Sequence, residues 1–158
     1  SDTIEYASCT TCGNRAGLVV NGPVGAVGSP MGVVRNTIIR HVGLGGNTAP
    51  VSERGTESDL QIFENNVLFD PSAMTIYLDE GSILLTLASE VNLLAGAAAN
   101  QVFDCALSAS WHIPNSAPNG GTGCRNTGTA AGAPGHDFDG NPRAQESAFD
   151  IGADEFVP

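Results

Sequence analysis

The sequence contains no lysine. Its six cations are all arginines, at positions 15, 35, 40, 54, 125 and 143, and 17 acidic residues outnumber them to give a formal net charge of −11. A surface this negative repels phosphate backbones and anionic lipids, so no nucleic-acid partner and no membrane-surface role is expected. Charged residues of both signs make up only 15% of the chain and aromatics 6%. With so few charges and 20 glycines, a helical bundle or coiled coil is excluded. Long apolar runs are missing too. Nothing approaches the ~18 residues of a membrane helix, and the longest stretch, Leu93 to Ala99, is short and Ala/Gly-rich, so no membrane insertion is expected. What remains is 158 residues with 41% hydrophobic content, enough for one domain around one core and too apolar for wholesale disorder.

The chain opens on Ser1 rather than methionine, which fits a processed product. Its four cysteines are Cys9, Cys12, Cys105 and Cys124. An even number in an acidic, lysine-free chain points to two disulfides and an extracellular or cell-surface location. Three pairings are open. The preferred one is Cys105–Cys124, stapling a polar, glycine-rich loop, with Cys9–Cys12 as a local clip. A redox role for Cys9 and Cys12 needs a helix N-terminus, and Gly13-Asn14 offers a turn instead. Zinc held by cysteines needs a second close pair, which Cys105 and Cys124 do not form.

Apolar residues come in short bursts separated by Gly, Asn, Asp and Ser: Val33–Val34, Thr37–Ile39, Leu60–Phe63, Val67–Phe69, Thr75–Leu78, Ile83–Leu87 and Val91–Leu94. Such brief, β-branched bursts predict strands. Residues 33–39, VVRNTII, align without gaps on residues 62–68, IFENNVL, an offset of 62 − 33 = 29 that sets Asn36 on Asn65. A looser third copy over 89–94 places Leu93 on Val67, 26 residues later. Periods of this length mark solenoids. The expected architecture is all-β, a right-handed parallel β-helix with a loop-rich C-terminal cap. Val34 over Phe63 and Ile38 over Val67 form its inward columns. Asn36 and Asn65 sit at tight bends, where asparagine tolerates left-handed backbone angles and stacked amides satisfy one another. Arg35 falls opposite Glu64 as an ion pair between repeats. The competing reading is a β-sandwich with two similar strand pairs. Residues 1–113 carry the repeats and 114–158 the loop-rich tail, within one domain.

The tail ends in a distinctive pair of segments, residues 137–143 (DFDGNPR) and 149–156 (FDIGADEF). Together they resemble the C-terminal signature of secreted bacterial right-handed parallel β-helix repeat proteins, including the choice-of-anchor Q group. There an Asp-Gly-Asn-Pro-Arg turn precedes an Asp-Ile-Gly-Ala-Tyr-Glu-like ending. Asp154 replaces the usual tyrosine, and residues 115–118 match an upstream Gly-Ser-Pro-Ala element only loosely. The resemblance implies the fold and is silent on activity. Physically, residues 139–141 make a turn that Pro142 ends, and Arg143 can fork onto Asp150 or Glu155. Phe149 and Ile151 alternate like a final strand, so the segment is expected to close the C-terminal end of the stack. No matching cap is visible before residue 20. The chain is therefore expected to be the C-terminal part of a longer β-helix, or to meet another chain or a second copy end to end at its N-terminal face.

Candidate chemistry is sparse. A lyase of this fold needs a basic cluster, and Arg35 and Arg40 align with Glu64 and Phe69, so no basic column forms. A glycoside hydrolase needs two carboxylates with one held protonated; Asp70, Asp79, Glu80 and Asp104 are available without a recognisable motif. Asp137, Asp139 and Asn141 alternate like the start of a calcium loop, although the glycine falls at the fourth loop position, not the sixth, and a simple Asp-Gly turn is preferred. Calcium is the most plausible small ligand, and no other cofactor is expected. His41, His112 and His136 have no metal spacing and are expected at the surface or in stacking. Trp111 is expected in the core or cap in preference to a glycan-stacking platform. Gly43-Leu44-Gly45-Gly46 lacks the Lys and Ser/Thr of a phosphate loop, and no serine-triad elbow occurs. The expected role is a structural or adhesive extracellular module, part of a cell-surface or filamentous assembly, that presents loops to a glycan or protein partner. The alternative is the C-terminal part of a polysaccharide lyase or glycoside hydrolase with its catalytic residues upstream.

Overall fold

A computed structural model describes residues 3–6, 16–20, 32–41, 49–55, 59–71, 74–108, 110–114 and 123–158. Among them the protein is all-β, with strands β1 (Thr3–Tyr6), β2 (Ala16–Val20), β3 (Val33–Arg35), β4 (Ile38–His41), β5 (Ala49–Glu53), β6 (Ile62–Glu64), β7 (Val67–Phe69), β8 (Tyr77–Asp79), β9 (Ile83–Leu85), β10 (Ala97–Ala98) and β11 (Gln101–Val102). One four-residue helix, α1 (Ala88–Val91), stands between β9 and β10. The strands form three sheets, ordered β1-β4-β7-β11, β2-β5-β8-β9 and β3-β6-β10. All pairings are parallel except β8 with β9.

The 29-residue self-similarity corresponds to strand pairing. Val33 pairs Ile62, Val34 pairs Phe63 and Arg35 pairs Glu64, while Ile38 pairs Val67 and Ile39 pairs Leu68. The third copy is corrected. β10 and β11 align on β6 and β7 at an offset of 97 − 63 = 34, so Gln101, not Leu93, pairs Val67. The five additional residues (34 − 29) go into a local reversal. Glu80 and Gly81 take positive φ of 49° and 71°, the primed turn that suits a twisted hairpin, and β9 folds back on β8. Val91, expected in a strand, ends α1, where Glu90 turns back to accept the backbone N–H groups of Thr86 (2.7 Å) and Leu87 (3.0 Å).

Each tight bend between the third and first sheets holds one left-handed residue: Asn36 (φ 49°), Asn65 (φ 52°) and Ala99 (φ 54°). The amide ladder expected at Asn36 and Asn65 lies one position later. Asn66 Oδ1 accepts the Thr37 N–H (3.0 Å), and Asn66 Nδ2 donates to Asn100 Oδ1 (3.0 Å). Asn100 Nδ2 in turn donates to the Phe63 carbonyl (2.7 Å) and to Asn92 Oδ1 (2.9 Å). Asn66 and Asn100 are buried, so these bonds replace water that cannot enter.

Two apolar clusters result. Ile39, Leu68, Phe63, Val51, Tyr77 and Val91 belong to the one enclosed by the sheets, and Phe63 meets Tyr77 edge to face at 5.6 Å. The alignment sets Ile38 and Val67 in that interior with Val34 and Phe63, whereas in the fold they face the other way. Adjacent strand residues point to opposite faces, and the first sheet is buried on both. Ile38 and Val67 pack with Cys105, Ile113, Cys124 and Ile151 from the tail.

The tail therefore lies against the second face of the first sheet, and of residues 137–156, expected to close the C-terminal end, Ile151 packs on that face. Asn36 anchors it, with Oδ1 accepting the Thr129 N–H (2.7 Å) and its carbonyl accepting the Gly152 N–H (2.8 Å). Gly128 passes so close to the chain that an added Cβ would stand 2.7 Å from the Asp150 carbonyl oxygen. Residues 149–156 form bends and extended chain without the expected strand. Alternate carbonyls there are taken by one side chain, described below, and are not free for a sheet partner.

Candidate functional site

The first candidate lies where β5 and β8 end. The two-residue pleat turns Val51 and Glu53 to one side of β5, and Tyr77 and Asp79 to one side of β8. With Val51 paired to Tyr77, Glu53 comes beside Asp79. Glu53 is buried and accepts the Tyr77 hydroxyl proton at 2.6 Å. Glu53, Asp59 and Asp79 bring one carboxylate oxygen each within 4.8 Å of the others. Burial, a hydrogen bond with Asp79 and the charges of Asp79 and Asp59 raise the Glu53 carboxyl to about 7, against the opposing pull of the Tyr77 hydroxyl. Burial and Glu53 together hold the Tyr77 phenol far above its ordinary value. These side chains, with Leu60, Phe63 and Leu94, line a pocket of about 120 Å³. Binding pockets for drug-sized molecules run to roughly 300–1,000 Å³, so this one has room for waters or an ion and not for a sugar ring.

The second is the guanidinium of Arg143, wholly enclosed. Nε donates to Glu155 Oε2 (2.9 Å), and NH2 donates to the carbonyls of Asp150 (2.9 Å), Gly152 (3.0 Å) and Asp154 (3.3 Å). Of the two expected partners, Glu155 meets Arg143 through its carboxylate and Asp150 through its carbonyl. The Asp150 carboxylate accepts the backbone N–H groups of Asn126 (2.6 Å) and Phe156 (2.7 Å). Burial and the nearby charges of Glu155 and Glu146 outweigh those donors and lift Asp150 to about 6. These groups bind backbone and one another.

The third is at the tail surface. His112 Nδ1 lies 3.2 Å from Asp154 Oδ1 and 3.4 Å from Asp139 Oδ2, and its ring stacks on Phe138 at 5.2 Å. The Asp154 hydrogen bond raises the His112 pKa, and the charges of Asp154, Asp139 and Asp137 add to that against some desolvation. At the calcium set expected at Asp137, Asp139 and Asn141, the contacts that the structure gives are the hydrogen bonds of an Asp-Gly turn. The Asp137 carboxylate accepts the N–H groups of Asp139 (2.9 Å) and Asn141 (2.8 Å) and the Asn141 side-chain amide (3.0 Å). Burial pulls Asp137 up, but those donors prevail and hold it below the usual aspartate value.

Other expected residues fall elsewhere. His41 is buried rather than exposed, with Nδ1 2.7 Å from Asp70 Oδ2 across the 29-residue register. Asp104 lies 3.7 Å from Arg40, and Arg40 approaches the ring of Phe69. Arg35 Nε meets Glu64 Oε2 at 2.8 Å. Trp111 closes a turn, its N–H on the Ser108 carbonyl, and is 45% exposed rather than in the core. Cys105 and Cys124 form a disulfide with Cα atoms 5.6 Å apart; Cys9 and Cys12 lie outside the described residues. Glu53 and Asp59 are missing from the carboxylates singled out in sequence, and the clue to Glu53 is its 26-residue spacing from Asp79 (79 − 53), the β5–β8 register. No helix among the described residues is long and apolar enough to cross a membrane. No protein-family model, no curated protein and no solved structure matches the chain.

Proposed function

We propose that this chain is part of a secreted right-handed parallel β-helix, of the kind its C-terminal signature resembles, and that it serves as a structural or adhesive extracellular module. The observation that carries the reading is the 29-residue register that joins β3 to β6 and β4 to β7 residue by residue. The chain visits the three sheets in the same order on successive passes until the β8–β9 hairpin interrupts it. Parallel crossovers are right-handed in about 98% of cases, which supports the assigned hand. A structural role draws support from what the buried ionic groups do: Arg143, Glu155, Asp150 and Asp137 are spent on backbone and on each other. The disulfide and the acidic, lysine-free composition support an extracellular location. Among the described residues β1, β2 and β3 are edge strands of their sheets, the surface at which a second copy or another chain would add.

The test is turnover against assembly. Incubated with uronate-rich polysaccharides, the protein is expected to release neither unsaturated products nor reducing ends, while light scattering shows concentration-dependent end-to-end association. Monodisperse monomer at all concentrations refutes the filament, and turnover refutes the structural role. A second reading, the terminal part of a polysaccharide-processing enzyme, draws on the Glu53 carboxyl, raised to about 7, as a candidate proton donor. The small pocket weighs against it, and turnover abolished by Glu53→Gln would select it.

A further inference from the structure

We propose that His112, Asp139 and Asp154 form a binding site for a first-row divalent metal ion of the zinc type. The three come from separate stretches of the tail that the backbone holds together. The His112 carbonyl accepts the Ser108 N–H (3.0 Å) and the His112 N–H reaches the Ser108 hydroxyl (3.0 Å). The Phe138 N–H donates to the Ala153 carbonyl (3.1 Å), which fixes the loop bearing Asp139 beside the segment bearing Asp154.

Two of the three separations between their donor atoms match those of a coordination shell. At ligand distances of about 2.0–2.1 Å, two ligands of a tetrahedral ion stand roughly 3.3–3.4 Å apart. His112 Nδ1 is 3.2 Å from Asp154 Oδ1 and 3.4 Å from Asp139 Oδ2, and all three donors lie within 4.8 Å of one another. An ion entering here takes the place of the hydrogen bond between the His112 ring and the Asp154 carboxylate and meets the carboxylates of Asp139 and Asp154. The imidazole decides the class of metal, since calcium and magnesium prefer all-oxygen shells and ring nitrogen suits zinc and its neighbours. That separates this cluster from Glu53, Asp59 and Asp79, which offer carboxylates alone.

Second contacts orient the ligands. The other oxygen of Asp154 accepts the Ile113 N–H at 2.6 Å, and Phe138 stacks on the His112 ring. Such outer partners fix a metal ligand's geometry before the ion arrives. The side chains of His112 and Asp139 are 43% and 44% exposed, so the ion has an entry path and a fourth position open to water. This site is independent of the fold's handedness and of any adhesive or catalytic role.

Calorimetric titration of the full chain with zinc chloride tests it, with calcium and magnesium chlorides as controls. One zinc per chain is expected, with affinity falling at least ~10-fold in both His112→Ala and Asp139→Asn. Both side chains are partly exposed, so the variants are expected to fold, and far-ultraviolet circular dichroism checks this. Zinc is also expected to raise the melting temperature of the parent and not of His112→Ala. Failure to bind zinc, zinc binding undiminished in both folded variants, or equal preference for calcium would each overturn the assignment.

Discussion

Replacing Glu53 by glutamine should change how stability depends on pH, and the sign follows from its surroundings. In the folded chain the carboxyl is raised from an ordinary 4.5 to about 7 by burial and by Asp79 and Asp59. A carboxyl raised in this way favours folding while protonated. Its contribution is fully present below pH 4.5 and is lost as the pH climbs through 7. At about 1.4 kcal/mol per tenfold change in proton affinity, the loss is about 3 kcal/mol. Glutamine keeps the shape, can accept the Tyr77 hydroxyl and can donate to Asp79 as the protonated acid does, yet it does not ionise. Urea unfolding at steps from pH 4.5 to 8 is the assay. Asp150, raised to about 6, titrates in the same window, so the informative quantity is the difference between the two proteins, in which Asp150 cancels. That difference should be near zero at pH 4.5 and grow to about 3 kcal/mol in favour of the variant at pH 8. With an m-value of about 2 kcal/mol/M, this is about 1.5 M in midpoint. Parallel curves across the whole range would refute the buried, proton-sharing assignment of Glu53.

Removing the Arg143 side chain with Arg143→Ala leaves the buried Glu155 carboxylate without its cation and three carbonyls without the guanidinium donor, and should cost about 3–5 kcal/mol in urea unfolding. Arg143→Lys should recover little, since an ammonium cannot span that fork, and an unchanged midpoint would remove the clamp from the account of stability. The Cys105–Cys124 disulfide spans 19 residues, and its loss in Cys105→Ser/Cys124→Ser should cost about 3 kcal/mol by loop entropy, read from the same unfolding curves. Ala99 holds a left-handed φ of 54° where the two equivalent bends hold asparagine. Ala99→Asn should therefore stabilise by about 1 kcal/mol, and a loss of stability would mean that another contact fixes that bend.

The readable part of the sequence is what recurs. Residues 33–39 and 62–68 share a pattern because they occupy equivalent places in two sheets, and the same offset carries Arg35 to Glu64 and His41 to Asp70. The third copy misleads because the Glu80-Gly81 turn and α1 lengthen the next pass from 29 to 34 residues, and the alanines of β10 retain almost none of the earlier side-chain pattern. Which face a residue takes was also hidden. Ile38 and Ile39 are both apolar, so alternation cannot say that one meets the sheets' interior and the other the tail. The candidate sites were less readable still. His112 and Asp154 are 42 residues apart in a stretch without periodicity, and only the folded tail brings them together.

The acidity of the chain takes a different meaning once the tail is placed. Its irregular backbone has few sheet neighbours, and the buried N–H groups there still require acceptors. Carboxylates supply many of them: Asp137 for Asp139 and Asn141, Asp150 for Asn126 and Phe156, Asp154 for Ile113, and Glu155 for Gln145. Arg143 does the converse for three carbonyls, and Arg125 braces the same segment through Glu146 and the ring of Phe156. Side chains here do what strand pairing does elsewhere in the chain. Substituting any one of these carboxylates by alanine therefore strands backbone donors as well as removing a charge. The amide variant, which can accept but carries no charge, separates those two costs.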